Sequence, residues 1–173
     1  DVKALIKSGK DEDFHFKILE ATEDVNQKQK VILVDEISNY FGGNLQGKKI
    51  AMWGLAFKAN TDDIREASSL DNIEILLQKG AEIVAYDTIA EENVRRVLGD
   101  KISYAKDMYS ALEGADCLLI ATEWSEFKNP NFELMAKKLK NKAIFDGRNM
   151  FALENVENTG FFYKSIGRRT VEK

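Results

Sequence analysis

The sequence predicts an α/β fold, a doubly wound parallel sheet preceded by a long connecting helix, on three observations. Near its start the chain has a long stretch without Pro or Gly, with apolar side chains at helical spacing. A polar, Gly-rich hinge, GGNLQGK, follows at 42–48. Beyond it, short apolar runs alternate with amphipathic stretches, the pattern of βαβ units around a buried parallel sheet.

The long helix is expected from Glu12 to about Phe41. Phe14, Ile18, Ala21, Val25, Ile32, Leu33, Ile37 and Tyr40 recur along one face, Asp11 and Asp13 offer an N-cap, and Gly42-Gly43 is the stop. At about 1.5 Å per residue it would reach about 45 Å, more than a small domain needs for itself. This marks a connector or association surface, and it divides the chain into a helical region at 1–46 and a compact domain at 47–173. In the domain, strands are expected at 49–53 (KIAMW), 82–86 (EIVAY), 102–104, 116–121 (DCLLIA), 143–145 and 161–164. Helices are expected at 69–78, 90–98, 107–112 and 131–139, with Gly80 and Gly99 as stops and Pro130 as a start signal.

Composition narrows the function. The 173 residues are 44% hydrophobic and 31% charged, ordinary for a globular protein of one full α/β domain plus an extra element. No apolar run approaches the roughly 20 residues that span a bilayer, and no signal-peptide pattern opens the chain. The net charge of −4 argues against nucleic-acid binding, which depends on phosphate neutralisation, but permits a local cationic pocket. The single cysteine, Cys117, cannot form an internal bridge and fits a reducing compartment. The absence of an initiator methionine reads as part of a longer chain.

An open parallel sheet binds ligands beyond the carboxyl ends of its strands, so those exits are the places to search. The first exit, Gly54 onward, is not a dinucleotide fingerprint, because it has one glycine where three are needed. Gly54 suits a tight strand exit. Asp87 is either a ribose-binding acid or the cap of the next helix. Lys58, a point charge, and Arg65, a planar fork, suit a phosphorylated ligand. Equally, Asp62, Asp63 and Glu66 can pair with them in a solvated loop. Arg148 in the DGRN turn has the same two readings, with Asp146 as its internal partner. His15 reads as a surface residue on the connector helix, Cys117 and Trp53 as core, and Trp124 as a rim residue. No His/Cys cluster has metal-ligand spacing.

Together these exits resemble one family. GLAFKANTDDIREASS at 54–69, VAYD at 84–87, ADCLLIATEWSEF at 115–127 and DGRN at 146–149 are similar to segments of the nucleotide-sugar 6-dehydrogenases. ATEDVNQKQ at 21–29 resembles that family's central helix, and DVKAL at 1–5 the residues after its catalytic cysteine stretch. The T-E-W-x-E-F segment is most similar to the UDP-glucose 6-dehydrogenases. Ala59 and Ala67-Ser68 depart from positions where Pro is common, which affects loop rigidity rather than chemistry.

The resemblance implies a C-terminal, Rossmann-like, UDP-sugar-binding part of a cytoplasmic enzyme. Such an enzyme takes UDP-glucose to UDP-glucuronate in two NAD-dependent oxidations through a cysteine thioester. The cysteine and the NAD domain would lie upstream. By position, Phe57, Lys58 and Arg148 belong to the substrate site, Arg65 reaches toward NAD, and Asp1 assists water attack on the thioester. The central helix implies a homodimer through the Glu12-to-Phe41 stretch. A relative acting on UDP-N-acetylmannosamine or GDP-mannose, and a non-catalytic nucleotide-binding module, are the alternatives.

Overall fold

The computed structural model describes residues 2–172. Asp1, the expected water-activating acid, lies outside the described residues. The elements run α1 (Val2–Asp11), α2 (Lys17–Tyr40), β1 (Lys49–Trp53), α3 (Ser68–Gln78), β2 (Glu82–Tyr86), α4 (Glu91–Leu98), β3 (Ser103–Tyr104), α5 (Met108–Ala111), β4 (Cys117–Ile120), α6 (Phe132–Lys138), β5 (Ala143–Asp146), α7 (Leu153–Glu157) and β6 (Phe162–Ser165).

The expected single helix from Glu12 is corrected at its start. Helix α1 ends in a left-handed residue, Asp13 (φ 56°). The Asp13 N–H donates to Lys10 O (3.2 Å) and the Phe14 N–H to Gly9 O (2.8 Å). This pair of bonds is the Schellman stop, with Asp13 in the position usually held by glycine. Asp13 therefore closes the preceding helix instead of capping the following one. His15 sits in the short connection between the helices, not on a helix, and its Nδ1 lies 3.3 Å from Glu20. At 24 residues, α2 is about 36 Å long.

The chain divides into two compact units, one ending at Ile32 and the other beginning at Leu33, with the boundary inside α2. In the first, a Cβ on Gly9 would fall 2.6 Å from the Phe16 ring, so a side chain there would displace the ring. In the second, the C-terminal half of α2 buries Leu33, Val34 and Ile37, and Tyr40 packs on Phe145 and Phe162.

The six strands form one all-parallel sheet in the order β3-β2-β1-β4-β5-β6. β4 and β5 are buried throughout and β1 from Ile50 onward, which explains their continuous apolar runs. The chain winds outward from β1 to β3 and then returns to place β4 on the other side of β1. This reversal of winding at β1 opens a switch point between the β1 and β4 exits. Helix starts follow local chemistry: Asp107 and Asn131 cap α5 and α6 by accepting the Ser110 and Leu134 N–H groups. α1 and α7 are elements without a counterpart in the sequence reading. At the β6 edge, Tyr163 and Val171 exchange two backbone bonds (2.9 and 3.0 Å) as an antiparallel bridge.

Candidate functional site

The β1 and β4 exits touch at the switch point. Gly54 has φ +90°, and a Cβ there would lie 2.4 Å from Thr122 Cβ and 2.6 Å from Thr122 N. Only glycine permits this approach, so the strand-exit reading of Gly54 holds.

From this point the loop is held by polar contacts from several strand ends. The Thr122 hydroxyl donates to Ala56 O (2.6 Å) and the Ser69 hydroxyl to Leu55 O (2.6 Å), both buried. The Phe57 N–H donates to Asp63 O (2.8 Å), and the Ala59 N–H to Glu123 Oε1 (3.3 Å).

Arg148 crosses to this loop from the β5 exit. Its Nε donates to Ala121 O (2.7 Å), its Nη2 donates to Phe57 O (3.1 Å), and Glu123 Oε2 lies 3.2 Å from Nε. The expected internal partner, Asp146, is not paired with the guanidinium. Buried Asp146 instead accepts the Arg148 and Met150 backbone N–H groups (2.8 and 2.7 Å) and the Tyr163 hydroxyl (2.7 Å). This shapes the turn and leaves Arg148 to face the other exits. Burial, reinforced by the Asp146 charge, pushes the Tyr163 hydroxyl well above its ordinary range. Asn149, left-handed at φ 54°, clamps the β6 exit: its amide donates to Ile166 O (3.1 Å) and accepts from Ile166 N (3.0 Å).

Of the guanidinium's five N–H donors, Nε and one hydrogen of Nη2 are engaged inside the protein. The other three make no hydrogen bond among the described residues. Lys58, one residue beyond the carbonyl that Arg148 grips, is exposed and makes no hydrogen bond or ion pair among the described residues. Phe57 is 45% exposed, unusual for a large apolar side chain. The β1 exit that carries Phe57 and Lys58 is thus tied to the β5 exit that carries Arg148 through the Phe57 carbonyl.

Arg65 stands differently. Its Nε and Nη2 fork onto Asp63 (3.0 and 2.7 Å), and the guanidinium is otherwise exposed. The hydrogen bonds from Arg65 hold the Asp63 carboxyl down to about 2 and raise the guanidinium in turn. For this residue the paired, solvated reading describes the geometry. Trp124 is a correction: it is buried, its indole N–H donating to Asp87 (3.0 Å). Cys117 is buried in β4, where desolvation raises its thiol far above the ordinary range, and Trp53 stacks on Phe127.

Asp87 decides whether this exit could hold a dinucleotide. Its carboxylate accepts five N–H groups from within the chain, including Ile89 and Ala90 at the start of α4. With one glycine at the β1 exit and Asp87 so engaged, these residues do not fit an NAD cradle. Among the described residues, no three His, Cys, Asp or Glu side chains could hold a metal ion, and no helix is long and apolar enough to cross a membrane.

Sequence reasoning did not single out Glu123 or the buried Thr122 and Ser69 as the side chains that hold this loop. The available signal was position: Thr122 and Glu123 follow β4 directly at the switch point.

The sheet order and the cationic rim define a doubly wound α/β domain of the class that holds ligands at its switch point. More particularly, the chain belongs to the UDP-glucose/GDP-mannose dehydrogenase family, whose UDP binding domain matches residues 51–153. It is 41% identical over 171 residues to the UDP-glucose 6-dehydrogenase TuaD of Bacillus subtilis, covering 99% of this chain and 37% of that protein. With the Pseudomonas aeruginosa UDP-glucose 6-dehydrogenase, identity is 38% over 97% of this chain and 38% of the other. The chain thus spans well under half the length of these curated relatives. Its fold superposes on a UDP-glucose dehydrogenase from Pyrobaculum islandicum with a TM-score of 0.75 at 31% identity, covering 85% of this chain and 32% of that one. The UDP-N-acetyl-mannosamine dehydrogenase Cap5O of Staphylococcus aureus gives 0.69 at 29%, covering 88% and 34%.

Proposed function

We propose that this chain is the UDP-sugar-binding part of an NAD-dependent UDP-glucose 6-dehydrogenase and that its rim grips the pyrophosphate. One observation carries the reading: Arg148, from the β5 exit, bonds the carbonyl of Phe57, beside Lys58 on the β1 exit. That bond brings together the two strand ends that carry the cations, which supports their joint use on a diphosphate. Phe57 supplies an apolar face for the nucleoside. UDP-glucose is preferred over UDP-N-acetylmannosamine because the higher identities and TM-score lie with UDP-glucose dehydrogenases.

The chemistry is assigned elsewhere in the enzyme. The chain's one cysteine is buried and disfavours its thiolate, so the thioester nucleophile is another residue. The exposed Arg65 is the contribution of this chain to the NAD side, and Asp1 is assigned to water activation by its place in the motif. When bound, NAD supplies the hydride acceptor. The rim's own task is to hold and orient the sugar nucleotide.

The enzyme is further proposed to be a homodimer through α2. Ile18, Val25 and Ile32 are exposed by 82%, 61% and 39% at seven-residue spacing, the seam a partner helix would cover.

The decisive experiment is titration of this chain with UDP, UDP-glucose and GDP-mannose by calorimetry and NMR. Lys58 makes no hydrogen bond or ion pair among the described residues and acts on Asp63 only through its charge, so Lys58→Ala reports mainly on ligand contact. Loss of a charged hydrogen bond, about 1.5–3 kcal/mol, weakens UDP binding roughly tenfold or more. UDP affinity unchanged in both Lys58→Ala and Arg148→Ala would overturn the reading, and preference for GDP-mannose would overturn the substrate.

A further inference from the structure

Between β1 and Lys58, no backbone polar group of residues 55–57 is left without a partner. The Leu55 N–H (2.6 Å) and Ala56 N–H (3.1 Å) both donate to Asp87 Oδ2, which also receives the Trp124 indole (3.0 Å). The three carbonyls go to Ser69, Thr122 and Arg148, and the Phe57 N–H to Asp63 O. Asp87 Oδ1 separately accepts Ile89 N (2.9 Å) and Ala90 N (2.7 Å). One side chain thus joins the β1, β2 and β4 exits. Every neighbour bonded to it is a donor, which suits an acceptor-only carboxylate.

We propose that Asp87 is a positioning residue for ligand binding: its Oδ2 fixes the backbone ahead of Lys58 and so presents that ammonium to the ligand's phosphates. In a dinucleotide-binding sheet, an acid near this position takes a ribose; here the carboxylate points inward and shapes the adjoining exit. The inference rests on the reading of Lys58 as a phosphate ligand. It goes beyond that reading by giving the exposed cation a buried determinant. A short loop with every backbone group bonded loses little freedom when a ligand arrives, so releasing it lowers affinity without removing any ligand contact.

The two oxygens can be separated by substitution. In Asp87→Ser the hydroxyl still accepts the N–H groups two and three residues on, keeping the start of α4, but is too short to serve Leu55, Ala56 and Trp124. The expected result is faster amide exchange at Leu55 and Ala56, a shifted Trp124 indole N–H resonance, and unchanged protection in β5 and β6. UDP affinity should fall about tenfold. Because Asp87 acts through Lys58, the double variant Asp87→Ser/Lys58→Ala should bind UDP no more weakly than Lys58→Ala. Asp87→Asn, which preserves size, provides the same readouts if the serine variant does not fold.

Additive losses, or unchanged exchange at Leu55 and Ala56, would overturn the proposal. Unchanged UDP affinity in Asp87→Ser while Lys58→Ala binds weakly would also overturn it and leave the proposed function standing. If Lys58→Ala itself has no effect, both the phosphate reading and the positioning role fail.

Discussion

Gly54→Ala tests whether the switch point is as tight as its geometry indicates. Alanine there meets two separate costs. The backbone, at φ +90°, lies where L-residues are strained, at about 1–3 kcal/mol. The added methyl would also sit 2.4 Å from Thr122 Cβ and 2.6 Å from Thr122 N, and relieving such overlap in a packed site costs about 1–3 kcal/mol. Together they remove about 2–6 kcal/mol from a total stability of about 5–15 kcal/mol. In a chain of this size that lowers Tm by at least about 4 °C. Gly42→Ala is the internal control: it has φ +67° but nothing within 4 Å of its Cβ, so it measures the backbone cost alone. Thermal and urea denaturation of both variants separate the two contributions. If Gly54→Ala loses no more stability than Gly42→Ala, the close approach of the β1 and β4 exits carries no energetic weight and the argument fails. Because Thr122 also holds Ala56, displacing it should weaken UDP binding in the fraction that remains folded.

Two further predictions concern groups away from the switch point. Asp63 is depressed from an ordinary 3.8 to about 2, so its ion pair contributes fully above about pH 3.8 and fades as pH falls through about 2. An NMR titration should find its midpoint near 2, and Arg65→Gln should return it toward 3.8; a wild-type midpoint at 3.8 would show the fork absent in solution. Val25→Glu places a charge in the middle of the exposed α2 stripe and should convert a dimer into a monomer by light scattering, whereas a monomeric parent chain would refute that interface.

The sheet was legible because its central strands are buried on both faces and therefore read as apolar runs between turn signals. β4 and β5 were the plainest cases. The start of α2 was not, because the break is made by a left-handed aspartate without glycine or proline, and in sequence an aspartate that stops a helix looks the same as one that caps the next. Local pairs were readable: Arg65 finds Asp63 two residues away. Long-range ones were not, because Arg148 passes over adjacent Asp146 to reach Ala121, Glu123 and Phe57, a choice made by the fold. The two readings of Asp87 place it at the same position and differ only in where its carboxylate turns. Trp124 is buried for the related reason that its indole follows Asp87 inward.

The antiparallel bridge between Tyr163 and Val171 bears on how copies of this chain can meet. A parallel sheet has two flanks whose open amides and carbonyls invite another strand. On one flank β3 has only two residues, too short to template much pairing. On the other, the returning tail already occupies the bonding groups of Tyr163, in the middle of β6. With both borders blunted, continuous sheets across molecules are disfavoured, and self-association is directed to side-chain surfaces, where a single charge can abolish it.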